Sequence, residues 1–149
     1  MNNIIPTADI ESSLPKRFGR GWYCFGLSKY ISDKPQSFYY FGQQLVAYRS
    51  QTDDTIKILN AYCPHMGADL SKGEVQGDTI ICPFHLWEWK GDGSCHSIPY
   101  SNLIPPKAKI KSWDVIEENG LFYVWYHYEG LAPIKEQAPP IMEEYYSND

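Results

Sequence analysis

Two short segments hold the side chains with the clearest chemical capacity. In AYCPHMGADL, residues 61–70, Cys63 and His65 flank a proline; in IICPFHLWEW, residues 80–89, Cys82 and His85 bracket Pro83 and Phe84. The ligand types therefore arrive as C-x-H, sixteen residues, then C-x-x-H. Thiolate sulfur and imidazole nitrogen both bind metals, and two of each can close a tetrahedral zinc site. Such sites usually pair like with like, as C-x2-4-C followed by H-x3-5-H. Here each segment brings one sulfur and one nitrogen, and the single residue between Cys63 and His65 is tight for chelating one ion. The spacing better suits two metals side by side, one taking the thiolates and the other the imidazoles.

That division is the one found in a [2Fe-2S] centre of the Rieske type, where two histidines replace two cysteines on one iron. In this reading Cys63 and Cys82 hold an inner iron, and neutral His65 and His85 hold an outer one near the surface. An added electron is expected on the histidine-ligated iron, so electrons enter and leave at the histidine tip. Gly67 is placed to turn the first segment, and Gly73 and Gly77 to reverse the chain before the second. A structural zinc module is the alternative left open by the four residues alone.

The elements that must position these loops read as strands. Segments of β character separated by turn residues recur at 21–28, 36–41, 43–50, 55–62, 78–82, 86–90, 108–115 and 121–127, and no long stretch carries a helical period. QTDD, EVQGD, KGDGS and EENG supply the Gly, Asn and Asp of tight connections, with KGDGS placed as a hairpin turn. So many short strands predict an all-β fold, an antiparallel sandwich or small barrel with the ligand loops at one tip. Twelve tyrosines, six phenylalanines and five tryptophans predict a ring-filled core. The 149 residues suit one domain. Residues 1–17 read as an N-terminal arm, 18–130 as the domain, and 131–149 as a Pro-rich acidic tail or linker.

A formal charge of -5 gives no reason to expect nucleic acid or an anionic membrane as partner. The longest apolar run, LFYVWY at 121–126, is far short of a bilayer span, and MNNIIPTADIESS lacks the pattern of an export signal. Two of only four cysteines fall in the ligand segments, which disfavours a disulfide framework. A reducing, cytoplasmic setting is expected.

The run AYCPHMGADLSKGEVQGDTIICPFHLWEWKGDGSCHSIPY resembles the Rieske domain of ring-hydroxylating oxygenases, and among them the oxygenase component of 3-ketosteroid 9α-hydroxylase and the cholesterol 7-desaturases. The likeness extends over roughly residues 18 to 130. It implies a [2Fe-2S] cluster on Cys63, His65, Cys82 and His85, and one-electron transfer as the electron-entry domain of a steroid-type oxygenase. The donor would be an NAD(P)H-dependent reductase and the acceptor an oxygenase catalytic site. A free-standing Rieske ferredoxin is the alternative. HSIPY matches the proline-containing loop that covers the cluster, making Pro99 a candidate lid residue. Respiratory Rieske proteins carry an extra cysteine in each ligand loop, where this chain has Ala68 and Phe84.

The family's catalytic iron uses two histidines and a carboxylate. Apart from the ligand segments only His96 and His127 are present, and both read as surface or edge residues, so no catalytic residue is assigned to this segment. Trp87 and Trp89 read as inward-facing core, Lys107, Lys109 and Lys111 as a solvated strand face, and Cys24 and Cys95 as buried thiols.

Overall fold

The structure is a computed structural model that describes residues 18–147. Three open antiparallel sheets form the molecule. The first contains β1 (Gly21–Leu27), β10 (Val115–Glu118) and β11 (Leu121–Tyr126), in the order β1-β11-β10. The second is β2 (Gln36–Tyr40), β3 (Gln43–Arg49), β4 (Ile56–Asn60) and β9 (Ser112–Trp113), in that order. The third is β5 (Glu74–Gln76), β6 (Thr79–Ile81), β7 (Glu88–Lys90) and β8 (Cys95–Ser97), a meander beside the ligand segments. The all-β antiparallel expectation is met as an open sandwich, not a closed barrel.

The second sheet is covered on both faces, which explains why Leu45, Val46, Ala47 and Tyr48 are all fully buried in succession. Successive strand residues point to opposite faces. Leu45, Ala47, Ile56 and Ile58 accordingly pack with Phe25, Phe122 and Val124 of the first sheet. Val46, Tyr48, Leu59 and Ala61 pack the other way, with Leu70, Ile80 and Trp89. Cys63 and Cys82 belong to this second core. Full burial of Leu70 and Ile80 contributes roughly 1.5–3 kcal/mol each toward holding the third sheet in place.

Several sequence expectations need correction. The segment 86–90 pairs only from Glu88, because Leu86 has a left-handed backbone with φ 59°. β5 and β8, with three residues each, are too short to display alternation. Residues 107–111 form no strand beyond a single bridge from Lys109 to Ser94, although Ala108 and Ile110 do turn inward. Lys111 is not fully solvated: its ammonium lies 3.9 Å over the Trp113 ring, and partial burial lowers its pKa. Cys24 is exposed, since β1 turns Phe25 inward and so sends its neighbour outward. Cys95 is only half-buried, with its thiol 3.6 Å from the Ser97 carbonyl oxygen.

The expected N-terminal arm, 1–17, lies outside the described residues. Residues 131–147 run over the first sheet. The Trp125 indole donates to the Leu131 carbonyl at 2.9 Å, and Asn119, in the β10–β11 turn, donates to the Pro140 carbonyl and accepts from the Met142 N–H. A single-turn helix, α1 (Glu143–Tyr146), follows, and the Tyr146 hydroxyl accepts from the Asn119 N–H at 2.9 Å.

Arg49 ties the sheets together from the end of β3. Its guanidinium donates to the carbonyls of Ile31 (2.9 Å), Asp54 (2.6 Å) and Ser28 (2.9 Å), and to the Glu117 carboxylate of β10 (2.9 Å). The other Glu117 oxygen accepts from the Ile56 N–H of β4 at 3.2 Å. A planar five-donor fork meets this many acceptors; an ammonium cannot. Arg49→Ala is expected to lower stability by about 2–3 kcal/mol, the scale of lost charged hydrogen bonds, and Arg49→Lys to recover little of it. Urea denaturation followed by tryptophan fluorescence measures both.

Candidate metal centre

The two ligand segments fold into the same six-residue loop. In the first, the Cys63 carbonyl accepts from the Gly67 N–H and the Cys63 N–H donates to the Ala68 carbonyl, both at 2.8 Å. In the second, the Cys82 carbonyl accepts from the Leu86 N–H at 3.1 Å and the Cys82 N–H donates to the Trp87 carbonyl at 2.8 Å. Proline follows each cysteine, its fixed φ suiting entry into a turn. The fifth residue is left-handed in both: Gly67 at φ 76° and Leu86 at φ 59°. Gly67 thus turns its loop as expected. Gly73 does something different from reversing the chain: a Cβ there would collide with the Ile81 carbonyl, so it permits close approach beside the residue preceding Cys82.

Identical loops place the cysteines alike but carry histidine at the third position in one and the fourth in the other. Cys63 and Cys82 are both 2% exposed, at the floor of the tip, while His65 and His85 are half-buried above them. The imidazole rings approach to 4.7 Å between centroids at 70°. Burial pushes the Cys63 thiol pKa up; the adjoining Cys82 thiol pushes the same way, while the His65 backbone N–H opposes it. The two loops thus bring the imidazoles to each other and the thiols to each other, sulfurs buried and rings half-exposed.

The donor set fits a two-iron centre on a second count. His85 Nδ1 is buried and has no hydrogen-bond partner, although a buried polar atom left unpaired is costly. A metal bound there would satisfy it.

A family profile described as "Rieske [2Fe-2S] domain" matches residues 21–113. The chain belongs to this family. The Rieske domain is 48% identical over 132 residues to a 3-ketosteroid-9-alpha-monooxygenase oxygenase component from Rhodococcus rhodochrous, covering 88% of this chain and 33% of the relative. It is 38% identical over 135 residues to cholesterol 7-desaturase from Xenopus laevis, covering 88% of this chain and 29% of the relative. Apo dicamba monooxygenase superposes with a TM-score of 0.74 at 30% identity, covering 80% of this chain and 37% of that one. The Rieske domain thus spans about a third of the length of the curated relatives it matches.

Other candidates fall elsewhere. His96 Nε2 stands 3.9 Å from the Glu88 carboxylate on the third sheet, and His127 Nδ1 accepts from the Glu129 N–H in a turn after β11. Neither joins the Rieske loops. Pro99 is exposed in the turn closed by the Ser101 N–H on the Ile98 carbonyl; its neighbour Tyr100, which sequence reading passed over, is the residue that reaches the site, accepting from the Trp87 indole N–H at 2.6 Å. Trp87 and Trp89 are buried core as expected. Trp87 also stacks on His65, a contact between loops that no local pattern announces. No helix among the described residues is long and apolar enough to cross a membrane.

The left-handed fifth residue generates an opposed pair of outcomes. Space around Gly67 is open, so Gly67→Ala costs conformation alone and should destabilise by about 1 kcal/mol, whereas Leu86→Gly relieves comparable strain and should be neutral or stabilising. Thermal melts of the iron-loaded variants should rank Leu86→Gly at or above the parent and Gly67→Ala below it.

Proposed function

We propose that Cys63 and Cys82 as thiolates, with His65 and His85 through ring nitrogens, hold a [2Fe-2S] cluster through which this domain passes single electrons. The observation that carries the assignment is the buried sulfur pair beneath a half-exposed imidazole pair, with His85 Nδ1 buried and unpartnered. The bound cluster supplies reversible one-electron chemistry. The protein's own part is positional. Two closed loops fix the cysteines, while Trp89 and Ile80, both fully buried, exclude water from the sulfur side. The imidazoles form the short route outward. Around them Met66, Phe84 and Leu86 are 66%, 60% and 53% exposed, an apolar rim that a partner protein can desolvate.

The relatives' names support a place for the domain in a steroid-type oxygenase, as its electron-entry domain. An NAD(P)H-dependent reductase would then be the donor and an oxygenase catalytic site the acceptor. No catalytic residue is assigned within the domain itself. Cys24 and Cys95, unpaired and outside the proposed ligand set, suit a reducing, cytoplasmic setting.

Ligand substitutions test the assignment. Cys63→Ser, Cys82→Ser, His65→Ala and His85→Ala should each abolish iron and acid-labile sulfide retention, and Cys24→Ser, Cys95→Ser, His96→Ala and His127→Ala should not. Full occupancy in any of the first four would defeat it.

The potential is a separate outcome. Donors to the sulfurs raise it, and the second loop presents Phe84 and Leu86, whose side chains donate nothing. Protein-film voltammetry at neutral pH should return a value in the lower part of the Rieske span of roughly -150 to +300 mV, below about 0 mV.

A further inference from the structure

The contact between Trp87 and His65 is not ordinary core packing. The indole lies almost parallel to the imidazole, at 11° and 4.4 Å between centroids. Trp87 is 9% exposed, so its N–H needs an acceptor, and that acceptor is the Tyr100 hydroxyl at 2.6 Å. Tyr100 sits in a braced turn. The Ser101 N–H donates to the Ile98 carbonyl at 3.1 Å, the Ser101 hydroxyl donates to the Leu103 carbonyl at 2.9 Å, and the Leu103 N–H returns to that hydroxyl at 3.1 Å. A chain of contacts therefore runs from a braced loop, through a hydroxyl and an indole, to the face of one imidazole.

His85 is held differently. Its ring meets Phe84, its own neighbour in sequence, at 3.9 Å and 42°, and meets the His65 ring of the other loop edge-on, at 4.7 Å and 70°, with no parallel ring from another loop among the described residues. The two histidines thus differ in what sets their ring planes.

We propose that Trp87 and Tyr100 are positioning residues that fix the rotation of the His65 imidazole, and with it the overlap of that one ligand with its iron. Trp87 acts by stacking, and Tyr100 acts through Trp87 by holding the indole N–H. This rests on the ligand assignment above. It differs from a purely structural role, in which the hydrogen bond would secure the 98–103 loop and leave both imidazoles alike.

The test uses the dithionite-reduced, iron-loaded domain and its two histidine nitrogen hyperfine couplings, resolved by pulsed EPR. Tyr100→Phe removes one hydroxyl from a side chain that is 62% exposed, and Trp87→Phe keeps a ring but removes the N–H. Both should retain iron and sulfide, and each should shift or broaden one coupling and leave the other in place. The double variant should match Trp87→Phe alone, because in this proposal Tyr100 acts on His65 through the indole. Couplings superimposable on the parent's in Tyr100→Phe, or both shifted equally, would overturn the proposal. So would loss of iron from Tyr100→Phe, which would assign the contact to assembly. If the parent itself shows no paramagnetic signal on reduction, the ligand assignment fails instead.

Discussion

Two thiols held side by side in an apolar core are an expensive arrangement for a folded chain. Burial disfavours the thiolate of Cys63, and the adjacent Cys82 disfavours it further. Ligation by iron would relieve that cost, since a coordinating thiol is deprotonated and its proton is released to solvent. The position of the thiols is set by backbone bonds local to each loop and by the core that closes over them, independent of their ionisation. Loop closure, sulfur burial and metal affinity are therefore aspects of one constraint.

Depth then divides the work of the tip. Sulfur lies where water is excluded, and imidazole lies where a partner can approach. In the proposed assignment, ligands near the surface would serve electron exchange and ligands in the core would serve retention. Offsetting histidine by one position between two otherwise equal loops lets both rings face the same side without clashing. The left-handed residue recurs at the same place because the closure requires it, whether or not glycine is available.

The tip is held by the core on one face of the central sheet, while the other face binds the β1–β11–β10 sheet. Strand alternation alone separates the two cores: residues 45 and 47 serve one, 46 and 48 the other. The Arg49 fork joins the first and second sheets at one end. A surface groove of about 440 Å³ near Lys57, Gly91 and Trp113 shares no residue with the ligand loops, whereas one of about 250 Å³ beside Gly73 is lined by Cys82, Pro83 and Leu86 of the second loop.

Cys63, His65, Cys82 and His85 are legible in the sequence as candidate ligands because residue type and spacing are chemical facts that need no fold to state them, and Gly67 because its turn is local. The longer strands were legible for the same reason, since period-two burial is written residue by residue. Leu86 escaped because its left-handed backbone contradicts its own preference and is imposed by loop closure. Cys24 and Cys95 were misjudged because burial depends on which face a neighbouring sheet covers, not on residue type. The Trp87 stack on His65 and its hydrogen bond to Tyr100 join residues from three loops. Chain order thus determined which atoms could bind metal; only tertiary packing decided how deep each lies and what holds its plane, because those depend on contacts between segments that local preference does not encode.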